Sequence, residues 1–233
     1  MKISILIPLF NEKETIGKIL DKILGKKFYP HEFEILVIDD GSTDSPDDSL
    51  KPYLDKVNLI KHDKNMGKGE ALKSGFIHST GEIILVQDAD LEYCPDDYEK
   101  LLDPIINQNY DVVIGSRQRD HLSFLNNFSI YYIGGKLINY FFNLFSPVTI
   151  EDIHSGYKLA TRESWVKLDL KESGFNFCHE FTCKAILMNL KIKEIPITYL
   201  PRNFKDGKKI RSKDGIYALK TILNILIRKK LTN

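Results

Sequence analysis

Five short apolar runs rich in β-branched residues constrain the fold of this chain more than any other feature: Ile3 to Leu9, Phe33 to Ile38, Val57 to Ile60, Ile83 to Val86 and Val112 to Ile114. Such runs suit strands covered on both faces, because they are nearly continuous in apolar residues rather than alternating with polar ones. Helical patterns separate them: Glu14 to Leu24, a shorter stretch around Ser49 to Leu54, Gly69 to His78, and Pro95 to Gln108. This alternation predicts right-handed crossovers and an α/β fold with a doubly wound, mostly parallel sheet carrying helices on both faces. Ligands of such sheets bind beyond the carboxyl ends of the strands. Polar clusters stand at those ends, with Asn11-Glu12, Asp39-Asp40, Asp88-Ala89-Asp90 and Gly115-Ser116-Arg117 after the first, second, fourth and fifth runs. One binding edge is expected.

Asp88, Asp90 and Glu92 place three carboxylates at the mouth of a buried strand, where they repel one another and lose hydration. A divalent cation offsets that charge, and oxygen-only ligands suit Mg or Mn better than zinc. Mg shares its shell with water and substrate phosphates, so the cluster implies a diphosphate ligand. Capping of the helix that starts near Pro95 is the competing use, although Asp96 and Asp97 already stand at that end. Asp39-Asp40-Gly41-Ser42-Thr43-Asp44 reads as a tight turn with a helix cap. A carboxylate there also suits a ribose hydroxyl or a base edge.

Basic residues supply the opposite charge. Arg117, Arg202, Lys208 and Lys209 are suited to neutralising a departing diphosphate, Arg through its planar fork and Lys as a mobile point charge. A solvated basic loop is the alternative for Pro201 to Lys209. Lys64 to Ala71 opens a helix with glycine and lysine but matches neither the P-loop nor the dinucleotide fingerprint, and reads as a flexible helix start. His179-Glu180 with Cys183 lacks the second histidine of a zinc-protease helix. Cys94 and Cys178 read as small buried hydrophobes. The absence of a Gly-x-Ser-x-Gly elbow argues against an acyl enzyme.

At 233 residues, 42% hydrophobic and 28% charged, the chain is long enough for one large domain and short for two. The formal charge of +1 gives no reason to expect nucleic acid, although basic residues concentrate after Lys205. Three cysteines without framework spacing, and a Met1 that leads straight into a strand, point to a cytoplasmic location. No stretch has the uninterrupted apolar length of a membrane span. After Arg117 the pattern changes to an aromatic-rich amphipathic segment (Phe128, Tyr131, Tyr132, Tyr140, Phe141, Phe142, Phe145), then a strand-like Tyr157 to Ala160, a helix with Cys183 and Ile186, and the run Ile192 to Tyr199. Ile216, Leu219, Leu223, Leu226 and Ile227 recur at helical spacing before Arg228-Lys229-Lys230, which suits a helix in a headgroup layer or one docked on the core.

Taken in order, Pro8-Leu9-Phe10-Asn11-Glu12, Ile38-Asp39-Asp40-Gly41-Ser42-Thr43-Asp44, Asp88-Ala89-Asp90-Leu91-Glu92 and Gly115-Ser116-Arg117 resemble the family 2 glycosyltransferases of GT-A fold, and within them the dolichol-phosphate mannose synthases and related polyprenyl-phosphate sugar transferases. The resemblance runs from Lys2 to about Arg119 and resumes more weakly from Glu151 to Lys213. It implies a nucleoside pocket lined by Pro8, Phe10, Glu12, Ile38 and Asp40, with Phe10 where the family usually has tyrosine. It also implies donor contacts from Asp88 and Ala89, and a metal at Asp90 and Glu92, joined by Asp88 in the three-carboxylate reading. Arg117, Arg202 and Lys208 match its phosphate-binding basic residues, and Asp152, before His154-Ser155-Gly156, falls where acceptor-facing residues lie.

The expectation is a single GT-A domain over residues 1–233. Residues 1–119 form a Rossmann-like nucleotide-sugar half, 120–213 an acceptor-side half, and 214–233 a C-terminal amphipathic helix. The expected activity is metal-dependent, inverting transfer of a hexose from a nucleoside diphosphate sugar, of the GDP-mannose or UDP-glucose kind, to a polyprenyl phosphate at the inner membrane face. Asp90, Arg117 and Arg202 would carry the charge changes. Asp152 would act as general base if the acceptor were a hydroxyl. The alternatives are a saccharide acceptor with the same donor, or a non-catalytic nucleotide-sugar-binding subunit docked on a membrane partner.

Overall fold

The computed structural model describes residues 1–26, 30–117, 130–202 and 212–232. Seven strands form one sheet in the order β3-β2-β1-β4-β6-β5-β7. They are β1 (Lys2–Leu9), β2 (Glu32–Asp39), β3 (Asn58–Lys61), β4 (Ile83–Val86), β5 (Val112–Arg117), β6 (Lys158–Thr161) and β7 (Ile192–Ile197). All pairings are parallel except those of β6, which runs antiparallel between β4 and β5. The doubly wound, mostly parallel sheet expected from the alternation is present. β5 extends through Gly115-Ser116-Arg117, so the arginine ends the strand instead of following it, opposite Ile197 of β7.

The helices are α1 (Lys13–Leu24), the single turn α2 (Asp47–Leu50), α3 (Lys68–His78), α4 (Tyr98–Gln108), α5 (Ile130–Phe145), α6 (Arg162–Leu168), α7 (Phe177–Leu187) and α8 (Ser212–Thr232). Their placement follows strand alternation, since successive side chains of a strand point to opposite faces. Ile3, Ile5, Ile7 and Leu9 of β1 pack with Ile16, Ile19, Leu20 and Ile23 of α1 and with Tyr98, Leu101 and Ile105 of α4. The α1 set has the i, i+3, i+4, i+7 spacing of an amphipathic helix. Leu6, Leu36 and Ile38 face the other layer, with Ala71 and Leu72 of α3, Phe142 of α5, Trp165 of α6, Phe177 and Phe181 of α7, and Ala218 and Ile222 of α8. Residues before and after position 119 therefore share one sheet and both of its packed layers.

Asp96 and Asp97 do not cap α4. Asp97 has no side-chain cap bond; its carboxylate instead accepts the Thr198 N–H at 2.6 Å and pairs with Lys100, while Asp96 pairs with Lys26. Cys94 is half-buried and bonds Asp96, whereas Cys178 is buried as expected.

At the amino edge of the sheet, Glu34 closes the chain on itself. Its carboxylate accepts the Ser4 hydroxyl at 2.5 Å, the Thr80 N–H at 2.5 Å and the Gly81 N–H at 3.0 Å, and meets Lys2 Nζ at 2.8 Å. Burial alone would raise its pKa; the bonds from Lys2, Ser4 and Thr80 overcome that and lower it from 4.5 to about 2. A depressed carboxylate stabilises the fold fully above its unfolded value, and that stability disappears as pH falls through the folded one. Glu34→Gln is expected to lose about 1–3 kcal/mol at pH 7. Urea denaturation should show the gap between variant and wild type closing as pH falls from 4.5 toward 2.

Candidate active site

The carboxyl edge gathers the acidic and basic residues from both halves of the chain. Asp40, just past β2, is 2% exposed. Its Oδ1 accepts the Met66 N–H at 2.9 Å and lies 2.7 Å from His62 Nδ1, and its Oδ2 accepts the Gly67 N–H at 2.7 Å. This carboxylate holds the loop entering α3. The remainder of that motif is turn chemistry: Asn11 accepts the Thr43 N–H, and Asp44 accepts the Lys13 N–H at the start of α1.

The loop braced by Asp40 delivers Lys68 to the acid cluster, where its Nζ donates to Asp88 Oδ1 at 2.5 Å. Burial would lower this ammonium's pKa, but the Asp88 charge raises it above the ordinary lysine range. The flexible helix start expected here is a braced one. A Cβ on Gly69 would sit 2.1 Å from the Glu172 carbonyl oxygen, and the Glu70 N–H donates to Ser173 O. Lys68 was missed because its loop carries no phosphate-binding signature, and its role depends on a partner twenty residues away.

Asp88 itself stands on a buried platform. Gln87, fully buried, accepts the Tyr98 hydroxyl at 2.9 Å and the Tyr157 hydroxyl at 2.7 Å, and donates to Asp88 O at 2.8 Å. The Gly156 N–H donates to the Tyr93 hydroxyl at 2.9 Å, and a Cβ on Gly156 would lie 2.3 Å from Asp88 Oδ2. Only glycine lets that turn approach so closely. Leu91, at φ 63°, then reverses the chain in the left-handed region.

Arg202 ties the acids together. Its Nη1 and Nη2 donate to the two Glu12 oxygens at 3.0 Å each, Nη2 donates to Asp90 Oδ2 at 2.9 Å, and its backbone N–H donates to Glu92 Oε1 at 2.9 Å. Burial, with the Asp88 and Glu92 charges added, drives the Asp90 carboxyl up to about 7 even with Arg202 beside it. That excess of negative charge fits a divalent cation. The three-ligand set is nevertheless not assembled: among the described residues no three His, Cys, Asp or Glu converge to hold an ion. Glu92 is engaged elsewhere, accepting the Tyr199 hydroxyl at 2.9 Å as well as Arg202, and so anchors the segment after β7.

Arg117 closes the edge. Its Nε and Nη2 donate to Asp152 Oδ2 and Oδ1 at 2.6 and 2.7 Å, its backbone N–H donates to Oδ2 at 3.1 Å, and its guanidinium lies 5.2 Å from the centre of the Tyr199 ring. Burial would raise the Asp152 pKa, but Arg117 holds it far below the usual carboxylate range. A carboxylate so bound is a weak base, and it orients Arg117. Of the remaining expected residues, Pro8 and Phe10 are half-buried and Glu12 is 8% exposed. Ala89 is buried, and the Ile38 side chain lies in the core with Ala71 and Leu72 of α3. Lys208 lies outside the described residues, as does Lys209.

Acids and arginines on the carboxyl edge of a doubly wound sheet, interrupted by one antiparallel strand, define a GT-A glycosyltransferase. Residues 4–164 match the model described as Glycosyl transferase family 2, and the chain belongs to that family. It is 30% identical to a Methanocaldococcus jannaschii protein named Uncharacterized protein MJ1222, over 98% of this chain and 92% of that protein. It is 28% identical to Dolichyl-phosphate beta-glucosyltransferase ALG5A of Trichomonas vaginalis, over 97% of this chain and 73% of that one. A solved structure of glucosyl-3-phosphoglycerate synthase from Mycobacterium tuberculosis, crystallised with Mn2+, UDP and glucosyl-3-phosphoglycerate, superposes with a TM-score of 0.75 at 18% identity, over 97% of this chain and 80% of that one.

Gly156→Ala should displace Asp88 without disturbing the sheet. Transfer activity is expected to fall by about tenfold or more, in line with the cost of misplacing a site group by an ångström, while the far-UV circular dichroism stays that of wild type.

Proposed function

We propose that this chain moves a hexose from a nucleoside diphosphate sugar, of the GDP-mannose or UDP-glucose kind, to a polyprenyl phosphate, with inversion at the anomeric carbon. The observation that carries the reading is the charge arrangement at one sheet edge, with Asp88 paired to Lys68, Asp90 to Arg202 and Asp152 to Arg117. The name of the Trichomonas relative, which covers nearly the whole of this chain, supports the lipid phosphate acceptor.

In the reaction the acceptor oxygen attacks the anomeric carbon as the bond to the diphosphate oxygen breaks, and the electron pair leaves with the diphosphate. Arg202, already forked toward Glu12 and Asp90, is placed to neutralise that departing charge. Arg117, oriented by Asp152, provides a second planar cation on the acceptor side. A phosphate acceptor is already ionised at neutral pH and needs no general base, which agrees with the weak basicity of Asp152. Asp88 and Asp90 would hold Mg or Mn, and a cation bound there would supply charge to stabilise the leaving diphosphate.

The same reading places the protein as a peripheral component at the inner membrane face. No described helix is long and apolar enough to cross a membrane. α5 carries Ile133, Leu137, Tyr140 and Leu144 at helical spacing, exposed by 44, 63, 65 and 59%, and no acidic residue. α8 docks through Ala218, Thr221 and Ile222, which are buried, but leaves Ile216 71% exposed, and its sequence carries Arg228-Lys229-Lys230 in the last turn. Apolar stripes with basic flanks suit an anionic headgroup layer. Leu137→Glu with Leu144→Glu should abolish co-flotation with vesicles containing anionic lipid; flotation equal to wild type would remove the membrane contact from this account.

The central test is Asp90→Asn with a radiolabelled sugar donor and undecaprenyl phosphate, with Mn2+ or Mg2+ present. Wild type is expected to deliver label to the organic phase of a lipid extraction, and the variant to deliver none while melting normally. Label that stays in water with a saccharide would replace the lipid acceptor, and full activity of Asp90→Asn would refute the metal assignment.

A further inference from the structure

Behind the Arg117–Asp152 pair lies a buried polar assembly that the reaction as described does not use. One face of α5 is given over to the turn that carries Asp152. Asn139 donates to Ile150 O at 2.8 Å and accepts the Ile153 N–H at 3.0 Å. Asn143 donates to Ile150 O at 2.9 Å and accepts the Ile150 N–H at 3.0 Å. One turn earlier, the Gly135 carbonyl lies 2.9 Å from His154 Nε2. Positions 135, 139 and 143 recur at four-residue spacing and so share one stripe of the helix.

His154 is in turn held by His179 of α7, with His154 Nδ1 2.7 Å from His179 Nε2. The protons follow from the partners. A carbonyl oxygen only accepts, so His154 Nε2 carries hydrogen; a neutral imidazole has one N–H, so its Nδ1 accepts and His179 Nε2 donates. His179 Nδ1 is then a bare acceptor, and it has no partner among the described residues. Burial keeps both rings below the ordinary histidine range, which agrees with this neutral pairing. The His154 backbone N–H donates to Asp152 Oδ1 at 3.2 Å. An unbroken path therefore runs from α7 through the histidine pair to the carboxylate that orients Arg117, with α5 fastened alongside.

We infer that His154 and His179 are positioning residues for the transfer reaction, locking α5 and the Asp152 turn into one unit so that the placement of α5 sets the placement of Arg117. The inference rests on the proposed acceptor side. Its reach is wider than packing, because the outer stripe of the same helix is the exposed apolar one, and whatever contacts that stripe acts on the guanidinium through two asparagines and a histidine.

Two variants test it. His179→Gln keeps an N–H donor near the position of Nε2, and His179→Leu removes it. Transfer to undecaprenyl phosphate is measured beside nucleotide affinity by calorimetry and hydrogen exchange of segments 133–145 and 150–154. The Leu variant is expected to lose about tenfold in kcat or in acceptor KM, with nucleotide affinity unchanged and faster exchange in both segments, and the Gln variant to regain most of each. Equal loss in the two variants, a parallel loss of nucleotide affinity, or unaltered exchange would overturn the inference. Should wild type transfer nothing to the prenyl phosphate, the proposed acceptor fails while the exchange measurement still decides the coupling.

Discussion

Carboxylates crowded at the buried end of β4 are the constraint on which the rest of the structure depends. Like charges drawn out of water cost several kcal/mol unless cations are brought to them, and here the cations come from far along the chain. Lys68 reaches Asp88, and Arg202 reaches Asp90, Glu92 and Glu12 at once. Arg202 thus ties the segment after β7 to β1 and β4 by charge as well as through the shared core. Arg202 cannot be released toward a diphosphate without leaving Glu12 and Asp90 to another partner, so donor binding and compensation of the acids are linked events.

Around that cluster, neutral hydrogen bonds fix what the charges would otherwise leave loose. Gln87 with Tyr98 and Tyr157 sets the base of the acidic loop, Tyr93 holds the turn at Gly156, and Tyr199 spans Glu92 and Arg117. Buried hydroxyls and amides that are fully partnered favour a single geometry, because each alternative leaves a polar atom unsatisfied. Asp40 and Asp152 belong to this group in effect. Both are ionisable, yet each is used to hold a neighbour: Asp40 the loop to Lys68, and Asp152 the fork of Arg117.

Much of the fold was legible because it rests on local periodicity. The β1 to β5 runs and the α1 pattern with Ile16, Ile19, Leu20 and Ile23 announce themselves through alternation and four-residue spacing. The antiparallel insertion of β6 between β4 and β5 does not, since four residues, Lys158 to Thr161, look the same in either direction. The site was legible as an inventory of charge. Which charges meet was not: Glu92 turning to Tyr199 and Arg202, and Lys68 entering from a loop without a motif, are decided by contacts spanning 107, 110 and 20 positions.

The sequence by itself determined the α/β class, the edge of the sheet at which chemistry gathers, and the need for positive charge opposite Asp88 and Asp90. These follow from hydrophobic pattern and composition, which act within a few residues. Tertiary structure alone decided that Ile38 is core, that Asp40 and Asp152 position other groups, and that His179 stands behind His154. A side chain's task depends on which lone pairs and protons its partners leave open, and those partners are chosen only when distant segments pack together.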